Sequence, residues 1–149
     1  MSETPSEHTR FQHYLRDLEQ VPDHDEPDLV DAVLRDPDQA MAVSAVLQHI
    51  DHRAGGLDAD RYAAWAARMA AAVEGHHLLE RRIRDWILLK SLKMGQAINA
   101  ADLADATDWL QRTLAETTTS SATLTLLAEV GRTRRIRDTA HIRARRPAN

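Results

Sequence analysis

The chain has 149 residues, a formal net charge of −4 and no cysteine, and 43% of its residues are hydrophobic. This length and composition favour one compact domain, and the lack of cysteine excludes disulfides, thiolate metal sites and cysteine nucleophiles. Arginine outnumbers lysine 17 to 2 and alanine occurs 24 times. We interpret the arginine bias as bacterial, and the alanine content favours closely packed helices.

The sequence contains neither a signal-peptide pattern nor an apolar run long enough for a membrane helix, so we expect a cytoplasmic protein. We expect a single helical domain over residues 1–149. Residues 1–6 and the tail 147–149 are expected to be disordered.

The N-terminal part of the chain predicts three helices. Apolar residues at helical spacing indicate a first helix around residues 11–18 and a short second helix around residues 29–34. Asp36, followed by proline and with Gln39 three residues later, has the pattern of a capped helix start. We expect this third helix to end before the glycine pair at Gly55.

Two further helices are delimited by acidic caps and glycines. The fourth helix is expected to begin at Asp58 or Asp60 and to stop at Gly75. The fifth helix is expected over residues 76–94, with Gly95 as its terminator.

The C-terminal part predicts three more helices. One begins near Asn99 and continues through the apolar residues up to position 114, and Ser120 or Ser121 caps a shorter one. Gly131 either ends that helix or lies within it, and residues 132–146 are expected to form a basic helix. No stretch alternates as a strand does. The sequence therefore predicts an all-α protein of seven or eight helices.

Short motifs recur along the chain. The sequence Arg81-Arg82-Ile83-Arg84-Asp85 recurs at residues 134–138, and Trp65-Ala66-Ala67-Arg68 is echoed by a second WxxR motif at Trp109. With the regular succession of helix pairs, this pattern resembles HEAT-like or armadillo-like repeat proteins, with units at about residues 27–53, 58–94 and 100–146. The resemblance implies a right-handed array of antiparallel helix pairs that binds other macromolecules. An irregular helical bundle is the alternative.

Charge is strongly segregated along the chain. Residues 1–40 carry a net charge of −8, and residues 130–149 carry a net charge of +6. The basic segment is a candidate partner-binding site made of Arg132, Arg134, Arg135, Arg137, Arg143, Arg145 and Arg146. A second candidate patch for a basic partner is acidic and contains Asp23, Asp25, Glu26 and Asp28. Alternatively, the two ends neutralise each other within or between molecules, and self-association is a further expectation.

Histidine pairs raise the question of a metal site. His49 and His52 are three residues apart, and His76 and His77 precede Glu80 by four and three residues, so each group could face one ion. Helical carboxylate sites use two Glu-x-x-His elements, and this chain has one, from Glu74 to His77. We therefore expect no metal and no cofactor, and whether either histidine pair binds metal stays open.

No catalytic motif is recognisable in the sequence. Its serines lie outside nucleophile elbows, and its glycines do not form a phosphate loop. Trp65, Trp86 and Trp109 have the spacing of core residues. We expect a non-enzymatic protein-interaction module that binds another protein through its charged ends or a groove between helices. The alternatives are a nucleic-acid-binding protein that uses the arginine-rich helix and, third, a metal-dependent helical enzyme.

Overall fold

A computed structural model describes residues 6–146, and its regular structure is helical. The α-helices of this part are α1 Glu7–Gln20, α2 Glu26–Val33, α3 Gln39–Gly56, α4 Ala59–Met69, α5 His77–Lys93, α6 Ala100–Asp105, α7 Asp108–Thr117, α8 Ser121–Val130 and α9 Arg134–Ala144. A 3-10 turn, Asp23–Asp25, precedes α2. Residues 6–146 contain no strand, so the predicted all-α class is confirmed. The expected disorder of residues 1–6 and 147–149 lies, except for Ser6, outside the described residues.

Side-chain caps explain where most of these helices begin. In seven of them the residue before the helix accepts a hydrogen bond from a backbone N–H of the first turn, which satisfies one of the free donors there. These caps are Ser6, Asp38, Asp58, Asn99, Thr107, Ser120 and Thr133. The predicted starts at Asp58, Asn99 and Ser120 are confirmed.

The start and the end of α3 differ from the prediction. Asp38 rather than Asp36 caps this helix, because the Asp36 carboxylate is held by Tyr14 Oη at 2.6 Å and Arg10 Nε at 3.2 Å. The helix also continues through Gly56 instead of ending before the glycine pair. Glycine permits a helix end without imposing one.

The helix predicted from Asn99 to position 114 is two helices, α6 and α7. The break occurs at Thr107, whose hydroxyl group caps α7 and also donates to the Asp85 carboxylate. Gly131 ends α8, and the basic helix is shorter than expected because Thr133 caps α9.

The chain forms two compact units, one ending at Ile83 and the other beginning at Arg84, within α5. The first unit buries apolar residues of α1 to α5, among them Leu18, Val30, Val46, Ile50, Trp65, Met69 and Leu79. The second unit has its own core, which includes Leu89, Leu103, Leu110, Leu114, Leu127 and Ile136. This division into two units does not test the prediction of a single domain over residues 1–149, which stays a prediction. In the described part of the chain, no helix is both long and apolar enough to cross a bilayer.

Candidate functional site

The seven arginines of the basic segment divide into two groups, and the first group holds backbone carbonyls. The guanidinium group of Arg132 donates to the Ala106 and Ala104 carbonyl oxygens, at 2.7 and 3.1 Å, and pairs with Asp108. The backbone N–H of the same residue donates to Gln111 Oε1 at 2.8 Å. Arg132 therefore fastens the α8–α9 turn to the end of α6 and the start of α7.

Arg137 and Arg143 also serve the fold. Arg137 Nη1 donates to the carbonyl oxygen of Gly131 at 2.8 Å, and Arg143 donates to those of Ala115 and Thr118 at 2.8 and 2.7 Å. The last carbonyls of a helix have no partner within the helix, and a cationic side chain satisfies them well. These two arginines stabilise the ends of α8 and α7.

The other four arginines are exposed on α9 or directly after it. The Arg134 side chain is 88% exposed, and its contact with Asp138, at 3.7 Å, is a long surface ion pair. Ile142 lies among these arginines with 55% of its surface exposed. We call this surface the α9 face and define it as Arg134, Arg135, Ile142, Arg145 and Arg146.

A cavity of about 210 Å³ lies between α7 and α9 in the second unit. Ala115 and Ile136 form its apolar part, and Arg112 and Arg135 contribute guanidinium groups. The remaining lining residues are Asp108, Glu116, Thr133 and Thr139. Arg135 therefore belongs both to the α9 face and to this cavity.

The four residues of the predicted acidic patch differ in their exposure to solvent. Asp23, Asp25 and Asp28 are exposed, whereas Glu26 is only 2% exposed. The carboxylate of Glu26 accepts hydrogen bonds from His49 Nε2 at 2.6 Å and from Trp65 Nε1 at 2.9 Å.

Arg53 completes this buried network. Its Nε donates to Glu26 at 3.1 Å, and its Nη2 donates to Asp23 at 3.2 Å. Burial alone raises the pKa of Glu26, but the hydrogen bonds from His49 and Trp65 and the charge of Arg53 outweigh it and lower that pKa. The network ties α2 to α3 and α4, so Glu26 has a structural role rather than a place on a docking surface.

The histidine pairs are not joined into metal sites. His52 and His49 line a cavity of about 160 Å³ with Leu15, Glu19 and Gln48, but His49 Nε2 is held by Glu26. His77 contacts Glu80 at 3.4 Å on an exposed part of α5. Within residues 6–146, no group of three or more histidine and acidic side chains is arranged to hold a metal ion.

The core interpretation of the tryptophans is confirmed for Trp65, which is fully buried. Trp86 and Trp109 are partly buried against the second core, with ring centroids 5.7 Å apart. The repeated RRIRD motif occupies unequal surroundings, because Asp85 is 2% exposed whereas the side chain of Asp138 is 65% exposed.

Two features of this region were missed by sequence reasoning. Ile142 is an apolar residue on a basic helix, and helical spacing from Arg135 would have placed the two on one side of α9. In the sequence, Arg112 stands out only as the last residue of the WxxR motif at Trp109. Its place opposite Arg135 depends on the packing of α7 against α9, which no local signal in the sequence indicates.

Comparison with protein-family models, with curated proteins and with solved structures finds no match for this chain. The functional interpretation therefore depends on the geometry described above.

Proposed function

We propose that this protein is a non-enzymatic interaction module of a bacterial cytoplasm that binds an acidic segment of another protein through the α9 face. The observation that carries the proposal is the division of the arginines. Arg132, Arg137 and Arg143 hold backbone carbonyls, whereas the four arginines of the α9 face are turned to solvent.

Exposed guanidinium groups suit carboxylate partners. Their planar donors match a carboxylate in a bidentate geometry, and they lose less hydration on pairing than ammonium groups do. Because no carbonyl of the described chain depends on these four groups, a partner can engage them without breaking bonds that support the fold. Complementary charge also speeds association and selects acidic partners.

The composition of the α9 face favours a protein segment over nucleic acid. Ile142 provides an exposed apolar contact among the arginines, and Asp138 adds a negative charge beside Arg134. A phosphate backbone gains nothing from an isoleucine and is repelled by a carboxylate, whereas an amphipathic acidic helix complements both cation and apolar contacts. Apart from His141, residues 134–146 also contain no ring for base stacking.

The test uses the full chain and a synthetic helical peptide of about 12 residues, a length close to that of α9, with glutamates and a leucine on the same face. We expect micromolar affinity by fluorescence anisotropy, decreasing as salt rises to about 0.5 M. Replacement of Arg134, Arg135, Arg145 and Arg146 by glutamine should weaken binding about tenfold or more.

The matched control replaces four exposed arginines of the first unit, Arg16, Arg35, Arg61 and Arg68, by glutamine. It changes the net charge equally and should leave the affinity unchanged. Equal losses in both variants, or no binding by the unmodified chain, would overturn the proposal. Preferential binding of a DNA or RNA duplex of about 12 base pairs, lost in the α9 variant, would replace it with the nucleic-acid alternative.

A further inference from the structure

We infer that the cavity between α7 and α9 is the anchoring pocket for one glutamate or aspartate side chain of the bound segment. This inference rests on the proposed function and identifies the contact that fixes the position of the segment. The cavity of about 210 Å³ is the space of about seven water molecules, at about 30 Å³ each, which is enough for an acidic side chain.

The charges around the cavity support a carboxylate ligand. Arg112 enters its lining from α7 and Arg135 from α9, so guanidinium groups are contributed from both helices. Among the described residues, neither group forms an ion pair or a hydrogen bond with another side chain or with the backbone. Asp108, the acid one turn before Arg112, is already paired with Arg132.

Glu116 is the one acidic group of the lining that lacks a charged partner within residues 6–146. It lies one turn after Arg112 on α7 and would repel an incoming carboxylate. Two arginines against one unpaired glutamate leave a net positive pocket. Removal of Glu116 should therefore improve binding.

Hydroxyl groups add directional donors to the same pocket. Thr133 Oγ1 accepts the backbone N–H of Ile136 at 3.1 Å, which leaves its own proton free to donate, and Thr139 lies on the cavity wall. A carboxylate oxygen has several lone pairs and can accept from a hydroxyl and a guanidinium group together.

The distance from the cavity to Ile142 sets the spacing of the ligand. Arg135 and Ile142 are seven residues apart on α9, or about 10.5 Å along its axis. A helical segment that places its acid in the cavity would bring an apolar side chain about seven residues away onto Ile142. The anchoring acid and a leucine should therefore occur about two turns apart in the partner.

The experiment measures binding of two peptides of about 12 residues that differ only in the anchor, glutamate or glutamine, with a leucine about seven residues away. Against the glutamate peptide, Arg112→Gln should weaken binding about fivefold, and Glu116→Gln should strengthen it about twofold. Against the glutamine peptide both effects should largely disappear. Arg68→Gln, an exposed arginine of the first unit, is the control with the same charge change.

The two peptides and the two forms of residue 112 make a double-mutant cycle. A larger effect of Arg112→Gln on the glutamate peptide than on the glutamine peptide would support the inference. If Arg112→Gln binds both peptides as the unmodified chain does while the four-arginine variant fails to bind, the pocket is not the anchor but the proposed function stands. If Glu116→Gln weakens binding, the charge argument is wrong. Failure of the unmodified chain to bind either peptide overturns both proposals.

Discussion

The acidic segment of the first unit and the basic segment of the second unit differ in where their charged side chains lie. In the first unit, the acidic residue Glu26 is buried and compensated by His49, Arg53 and Trp65. In the second unit, the arginines of one short segment either hold backbone carbonyls, as Arg143 does, or remain on the surface. The acidic end of the chain is thus not uniformly an acidic surface, and the basic end is not uniformly a basic one.

The net charge of a sequence segment therefore differs from the charge that the segment exposes to solvent. Residues two apart in the sequence lie on opposite sides of a helix, so Arg135 is exposed whereas Arg137 is half-buried and donates to the Gly131 carbonyl oxygen. The helix register therefore decides which charges stabilise the fold and which can bind a partner.

The largest expected effect is on the buried network of the first unit. Glu26→Ala should lower the free energy of unfolding by about 3–5 kcal/mol, because it leaves the buried His49 ring and Trp65 Nε1 without their acceptor. Urea denaturation measures this. The control Asp28→Ala removes an exposed acid from the same helix and should change stability by less than about 0.5 kcal/mol. Equal effects of the two variants would show that the network does not stabilise the first unit.

The same network should make stability sensitive to acid. Since the pKa of folded Glu26 lies below its ordinary value of 4.5, the carboxylate contributes stability above that pH. This contribution is lost as the pH falls through the lowered pKa. Glu26→Gln should therefore show a weaker decline of unfolding free energy below pH 4.5 than the unmodified chain. Identical slopes would contradict the charged state assigned to Glu26.

Gly131 in the second unit and Gly55 in the first have different amounts of space around them. A Cβ atom on Gly131 would lie 2.7 Å from the Leu127 carbonyl oxygen and 2.9 Å from Ile136 Cγ2. Gly131→Ala should therefore lower the free energy of unfolding by about 1–3 kcal/mol.

Gly55→Ala in the first unit should have the opposite sign. Gly55 lies within α3, and a Cβ atom there would meet nothing within 4 Å. The substitution should raise stability by about 0.5–1 kcal/mol, because alanine favours the helix and restricts the unfolded chain. Thermal unfolding of both variants checks the signs, and a stabilising Gly131→Ala would contradict the close packing of α8 on α9.

Local signals in the sequence predicted much of the fold. Asp58, Asn99 and Ser120 were recognisable as caps because a cap acts on the N–H groups two or three residues away. The end of α3 at Gly56 and the break at Thr107 were not predicted. At both places the local sequence is compatible with a helix that continues and with a helix that ends. The packing of the rest of the unit decides between these two conformations.

The candidate site was predictable in composition and not in arrangement. All seven arginines were identified from charge, but which of them donate to carbonyl oxygens depends on the ends of α6, α7 and α8. Glu26 was assigned to an acidic patch because its neighbours are acidic, whereas its partner Trp65 is 39 residues away. Long-range contacts of this kind leave no periodic signal in a single sequence.

The most direct test of the central claim compares two double variants of the basic segment that change the net charge equally. Arg137→Gln with Arg143→Gln should lower the free energy of unfolding by about 2 kcal/mol and leave the affinity for the acidic peptide unchanged. Arg134→Gln with Arg145→Gln should keep stability within about 0.5 kcal/mol and weaken peptide binding about fivefold. Loss of stability and affinity to the same extent in both variants would contradict the division of the arginines into structural and binding groups.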